Sequence, residues 1–321
     1  MNPYTGQSFF SFFGILFHRL FQFLKGDLNS LASDEVQVLV LILIALSSAI
    51  VGTFLVLKKM TMLANSLSHT ILLGIVGAFL IGKYLFSQGG GLYTLHIPSL
   101  IIGALITALF TTFSTEFLHK KLRLQEDASI GLIFTAFFAL GVVLVTTLSR
   151  NSHLGIEAIM GNVDALHPDN VKQVFYLFLF NSAIAFFFFR RLEVTAFDPQ
   201  LAKNFGISIL FFNYLLMFQT ALTAIGSFRA VGVFLFLAFL VAPVLTARFF
   251  THRLKPLLFL AGGIGVIASI VSVALSRHFL SVYNIPLATS GLAASILGLC
   301  FACGAIYRLR TCSKQVLRKA Q

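Results

Sequence analysis

Asn65 and His69 are the side chains whose type and spacing most readily suggest chemistry. They stand in the densest polar run of an apolar region, MTMLANSLSHT from Met60 to Thr70. Four residues apart, they share one face of a helix. Imidazole is a borderline ligand for manganese, iron and zinc, and an amide oxygen is a weak one, so a passing divalent ion could use both. The same pair also reads as a cap at Asn65 near a helix start and a histidine hydrogen-bonded to a neighbouring span.

Other polar groups are scattered. His96 precedes one apolar stretch, and His153 and His167 share a connection with Glu157, Asp164 and Asp169. That connection could receive a cation, dock a partner or simply be solvated. Asp198 can cap, and Pro199 can open, a short helix over Gln200 to Asn204 that would lie at the membrane surface as a handle for a soluble partner. Gly77-AFLI-Gly82-Lys83 fits G-x-x-x-x-G-K, but Tyr84 stands where a magnesium-binding Ser or Thr is needed, and the run is apolar and helical rather than a loop after a strand. It cannot cradle phosphate. Cys300 and Cys303 lack the βαβ context of a redox pair and the extra ligands of a zinc site, so they read as small apolar side chains, with Cys312 a tail thiol. No His-Glu-x-x-His occurs, and no carboxylate pair sits in an apolar stretch, so an enzyme is not expected, and neither is a tightly bound cofactor.

The elements that must position these groups are membrane spans. The 321 residues are 58% hydrophobic and 11% charged, with 37 Phe, against about 25% charged residues in an ordinary soluble domain. Mean hydropathy is +0.92. A soluble core has no room for so much apolar side chain, whereas lipid solvates it. The net charge of +12 sits between apolar blocks rather than on a folded face, which points to bilayer topology and anionic lipid, not nucleic acid. The fold class is therefore an all-α polytopic bundle.

A helix crosses hydrocarbon in about 20 residues. Nine stretches qualify: Val38–Leu57, Ser66–Ile81, Ile97–Leu118, Ala128–Leu148, Val174–Phe189, Ile209–Ile225, Ala230–Ala247, Pro256–Leu275 and Ile285–Ile306. The second and fifth are short and should extend into their flanks. The first 37 residues lack the positive leader and cleavage site of a signal peptide. Phe9 to Leu24, interrupted by His18 and Arg19, reads as an interfacial helix; were it a tenth span, only the N-terminus would change sides. The domains are then an N-terminal segment (1–37), a transmembrane domain (38–306) and a basic tail (307–321). Sixteen of the 23 basic residues fall in the odd-numbered connections and the tail. That bias places those connections and the C-terminus in the cytoplasm and the N-terminus outside. The short turn at Gly226–Arg229 decides this, because a re-entrant chain there would invert everything downstream. Gly74 and Gly77 share one span, and Gly262, Gly263 and Gly265 share another. They suit close helix approach, or are simply tolerated, and assign no dimer face.

Five ordered anchors now carry a resemblance: GTFLVLKKMTMLANSLSH (Gly52 to His69), EDASIGLIF (Glu126 to Phe134), Met160-Gly-Asn162, FDPQLAKNFG (Phe197 to Gly206) and SFRAVGVFLFLAFLVAPVLTAR (Ser227 to Arg248). From about Val38 to Ile306 the chain resembles the membrane permease of bacterial zinc, manganese and iron uptake ABC transporters, especially chlamydial-type members. The resemblance implies an inner-membrane permease moving a divalent metal ion inward. It works as a dimer of like or paralogous chains, with separate ATP-binding subunits on the cytoplasmic face and an extracytoplasmic metal-binding protein outside. It implies that His69 contacts the ion and that Phe197, Asp198, Pro199, Gln200 and Gly206 belong to the ATPase-coupling surface. Family members commonly read G-D-A-L-S-H where this chain has Ala64 and Asn65. Asn65 is thus a weakened contact, and a paralogous partner supplying the carboxylate is favoured. Two other classes stay open. A proton- or sodium-coupled carrier lacks its usual mid-span carboxylate, since Glu116 lies near a span end beside Lys120. A non-transporting scaffold would move no metal.

Overall fold

Continuous apolar runs in which every backbone N–H and C=O must be satisfied internally can only be helices. The computed structural model, which describes residues 3–4, 9–25, 31–86, 97–148 and 161–319, is built on that rule. In chain order the helices are α1 (Phe9–Lys25), α2 (Ser33–Leu57), α3 (Thr61–Phe86), α4 (Ile97–Lys121), α5 (Glu126–Leu148), α6 (Pro168–Phe197), α7 (Pro199–Asn204), α8 (Ile209–Val231), α9 (Val233–Phe250), α10 (Leu254–Tyr283) and α11 (Thr289–Lys319), with a 3₁₀ turn at Val163–Ala165. Among the described residues nine helices are long and apolar enough to cross a membrane, and they correspond one to one with the nine expected spans. The two short stretches do extend, to 26 residues in α3 and 30 in α6.

Several boundaries differ from the expectation. α6 runs on through Arg190 and Arg191 to Phe197, eight residues past the expected end at Phe189. The break between α8 and α9 falls at Gly232, not at Gly226–Arg229. The helix breaks where φ is +79°, a conformation that glycine adopts without steric cost.

Two units divide the chain. The first comprises Met1–Val56, Asn162–Phe187 and Ala230–Gln321. Its central element is α2, buried along most of its length. α2 starts well: Asp34 and Glu35 complement the helix dipole, and Glu35 Oε2 accepts the Ala32 N–H at 2.8 Å, half of a capping box. Its small residues admit neighbours closely. A Cβ on Gly52 would collide with the Leu240 carbonyl oxygen of α9, and on α10 Gly265 lies against Ala45 and Gly262 against Leu46. Gly263 meets nothing, so two of that glycine trio serve packing within the chain.

The second unit comprises Leu57–Gly161 and Phe188–Arg229. Here α3 packs on both α4 and α5. A Cβ on Gly74 would stand 2.5 Å from the Gly103 carbonyl oxygen of α4, and one on Gly141 of α5 would stand 3.2 Å from the Leu73 nitrogen. Gly77 faces open space. Where lipid removes the hydrophobic drive between helices, such backbone approach and hydrogen bonds supply the packing. Thr111 donates to Thr70 at 3.1 Å, both hydroxyls being buried between α4 and α3. The glycine–lysine decoy lies wholly within α3, as its apolar composition requires.

Candidate functional site

Asn65 and His69 occupy the second and third turns of α3. Asn65 is exposed and His69 half-buried. Asn65 is the fifth residue of the helix, too deep to cap it. The His69 ring lies against Phe134 and Phe138 of α5, centroids 5.5 and 5.6 Å away. Among the described residues it makes no hydrogen bond to a neighbouring span, so of the two structural roles open to this pair neither is observed. Two stacked phenyl rings hold the imidazole and leave its nitrogens for another partner. One imidazole and one amide are too few to retain a metal, which takes four to six ligands. Among the described residues no three His, Cys, Asp or Glu side chains come together as a metal site. The arrangement suits brief contact with an ion rather than its storage.

α7 is a second candidate. Asp198 Oδ1 accepts the N–H groups of Gln200 and Leu201, each at 3.0 Å, and Pro199 opens the helix. It stops equally cleanly. Gly206, at φ +70°, donates to Lys203 O at 2.9 Å, and Ile207 donates to Ala202 O at 2.9 Å. These are the paired bonds of a Schellman motif. Ala202 is buried, while Phe197, Leu201 and Phe205 are 54%, 42% and 68% exposed. A six-residue helix fixed at both ends, with Leu201 on it and Phe197 and Phe205 flanking it, has the form of a contact surface.

Around the start of α8 lies a polar belt. Lys58, in the turn after α2, donates to Asn213 Oδ1 of α8 at 2.8 Å. Burial lowers its pKa from 10.5 to about 8. Tyr214 hydrogen-bonds Glu116 of α4, which also accepts from Lys120 at 2.6 Å. Glu116 therefore does meet its basic neighbour.

Sequence reasoning missed a further cluster, in the first unit. Glu35, 1% exposed, pairs with Arg19 of α1 and accepts from the Tyr4 hydroxyl at 2.8 Å. Asp34, 2% exposed, pairs with Arg277 of α10. Burial and the Glu35 hydrogen bond push the Tyr4 phenol far above its usual range, and the Glu35 hydrogen bond raises the Arg19 pKa. Asp34 and Arg277 line a cleft of about 390 Å³ with Gln37, Asp164 and Ser276. Thr289 links Asp164 (2.5 Å) to Ser276 (3.1 Å). The acidic pair opening α2 was the available signal, but its partners are remote in sequence.

The remaining polar residues are dispersed. His167, Asp169 and Lys172 form an exposed chain, with His167–Asp169 at 3.2 Å. Asn162 caps the 3₁₀ turn through the Asp164 N–H at 3.0 Å. His96, His153, Glu157 and Met160 lie outside the described residues. Cys300 and Cys303 are free thiols in α11, and the Cys312 side chain lies outside the described residues.

Comparison with known proteins adds to this geometry. The chain is 39% identical over 299 residues to a probable metal transport system membrane protein of Chlamydia muridarum, covering 92% of each chain. It is 36% identical over 275 residues to the manganese transport system membrane protein MntD of Bacillus subtilis, covering 81% of this chain and 87% of that one. Its fold is similar to a chain of PsaBC from Streptococcus pneumoniae solved in complex with Fab, with a TM-score of 0.70 and 24% identity over 89% of this chain and 95% of that chain. Residues 35–307, almost all of the transmembrane part, match a single family description, and the chain belongs to the ABC 3 transport family.

Proposed function

We propose that the chain is the permease subunit of a metal-uptake ABC transporter, passing manganese, iron or zinc inward across the bacterial inner membrane. The family match over residues 35–307, with near full-length similarity to metal and manganese transport membrane proteins, carries this reading. ATP hydrolysis belongs to a separate subunit. Residues 38–306 are the permease domain and 307–321 a basic cytoplasmic tail. The bias of sixteen among 23 basic residues supports an outward N-terminus and a cytoplasmic C-terminus. In that orientation Asn65 and His69 contact the ion close to its cytoplasmic exit, and the capped α7 surface from Phe197 to Gly206 meets the ATP-binding subunit. A second permease chain completes the pathway, and an extracytoplasmic metal-binding protein delivers the ion. Closure of the ATP-binding subunits favours one of two access states, and their opening favours the other.

The N-terminal segment, 1–37, is read as an interfacial helix followed by a tie to α2. Phe9 meets His278, near the end of α10, and Arg19 meets Glu35, at the start of α2. Ten helical residues cover roughly 15 Å, yet both contact points sit close to span ends. That supports α1 lying along the boundary rather than across it.

The test is uptake of radioactive manganese, iron and zinc into proteoliposomes holding the permease with and without its ATP-binding subunit. Nucleotide-dependent accumulation of at least one metal is expected. Uptake indifferent to nucleotide would point to an ion-coupled carrier, and none under any condition to a scaffold. His69→Ala should reduce flux while leaving subunit assembly intact. Shortening Phe197–Gly206 should lower capture of the ATP-binding subunit without unfolding the spans, and undiminished capture would remove that surface.

A further inference from the structure

Burying an ammonium without an ion-pair partner is costly, and a chain that does so needs a reason. Lys58 is half-buried, its shift from the ordinary value has burial as its cause, and the partner it reaches is a neutral amide oxygen, Asn213 Oδ1, at 2.8 Å. That partner is well placed. Asn213 lies in the second turn of α8, which follows α7 after the Gly206 stop. Lys58 lies three residues before α3, the helix carrying Asn65 and His69. The neighbour of Asn213 extends the grip: Tyr214 holds Glu116 on α4, and α4 is locked to α3 through Gly103 and Gly74. One turn of α8 is thus tied both to the entry of α3 and to the helix packed against it.

We infer that Lys58 and Asn213, seconded by Tyr214 and Glu116, are positioning residues that make α7 and the Asn65–His69 helix move together, so that a displacement imposed on α7 reaches the ion contact. This rests on the proposed role of α7 as the surface that meets the ATP-binding subunit. The Lys58–Asn213 bond is short, 2.8 Å, and directional, so it resists slippage in a way that apolar helix contacts do not. Energetic coupling between sites travels through elements that respond as a unit. Truncating either member should therefore disconnect ATP hydrolysis from transport without dismantling the bundle. Because a half-buried ammonium with no carboxylate partner among the described residues costs stability, removing it should leave the protein no less stable, which separates this role from a structural one.

The experiment uses the full permease reconstituted with its ATP-binding subunit, with manganese(II) as the probe. Lys58→Met and Asn213→Leu are compared for manganese taken up per ATP hydrolysed, subunit capture and melting temperature. The expected result is a loss of about tenfold in uptake per ATP, with capture unchanged and no fall in the melting temperature of Lys58→Met. Lys58→Arg, which keeps a donor, should restore most of the coupling, and Tyr214→Phe should show a smaller loss of the same kind. Unchanged uptake per ATP in both truncations overturns the inference, as does a loss that tracks melting temperature across the variants. Failure of the α7 reading is seen separately, as full capture of the ATP-binding subunit by the chain shortened at Phe197–Gly206.

Discussion

Replacing Lys58 with Met should stabilise the protein below pH 8, and the advantage should vanish by about pH 10.5. Burial lowers the Lys58 pKa from 10.5 to about 8. Between those values the unfolded chain holds the proton more tightly than the folded one, so stability rises with pH across the window. Below pH 8 the folded state carries the whole penalty, and above 10.5 it carries none. The displacement corresponds to about 3 kcal/mol. Lys58 is partly exposed and bonded to Asn213, so screening and that bond reduce the penalty to about 1–2 kcal/mol. For a domain of this size that is roughly 2–4 °C in melting temperature. Melts in detergent at half-unit steps from pH 7 to pH 11, taken as the difference between the variant and the unaltered protein, cancel every other titration. A difference that stays flat through pH 8 to 10.5 would show that the Lys58 ammonium is not penalised by burial.

Four other outcomes follow from the same contacts. Gly74→Ala places a methyl 2.5 Å from the Gly103 carbonyl and should lower stability by about 1–3 kcal/mol; Gly77→Ala, in open space, should be neutral or gain up to about 1 kcal/mol in the same melt. Arg19→Met leaves Glu35, 1% exposed, held only by the neutral donors Tyr4 and Ala32, at a cost of about 3 kcal/mol, and adding Glu35→Met should recover part of it; limited proteolysis between α1 and α2 reads the same release. Since the chain has no Trp, Phe17→Trp on the exposed side of α1 should be quenched by brominated lipid, and Phe12→Trp on its buried side should not; quenching of Phe17→Trp by aqueous iodide alone would remove α1 from the interface. Asn65→Asp should tighten manganese uptake about tenfold where two copies of this chain pair, and change it less than about threefold where a paralogue supplies the carboxylate.

The spans were legible because a run of about 20 apolar residues has essentially one physical solution. The α7 helix was legible for a different reason: Asp198, Pro199 and Gly206 each act on backbone groups within three residues of themselves. Nothing local identifies the packed glycines. Gly74 and Gly77 differ in what stands opposite them, and that is set by α4, beginning at Ile97. The buried ion pairs were missed on the same account, since Asp34 finds Arg277 across 243 residues and Glu35 finds Arg19 on a helix outside the family match. His69 was legible as a polar residue in an apolar run, but its Phe134 and Phe138 cradle was not, because α5 is a separate span.

On the proposed reading, Asn65 stands where the family pattern has Asp, and the consequence is electrostatic. A divalent ion leaving water must be offered compensating charge, and neither an amide nor an imidazole brings a formal negative one. Among the described residues no carboxylate joins His69 in a metal cluster. The acids that are buried, Asp34 and Glu35, are already held by Arg277 and Arg19. Glu116 is engaged by Lys120 and Tyr214. A pathway built from two copies of this chain would thus present two His–Asn faces and rely on hydration to carry the ion past them, favouring fast release over tight capture. A partner that keeps the family's Asp beside its own histidine would concentrate the charge on one side of the seam. The neutral side contributed by this chain would then set how loosely the ion is held there, and so how readily it leaves.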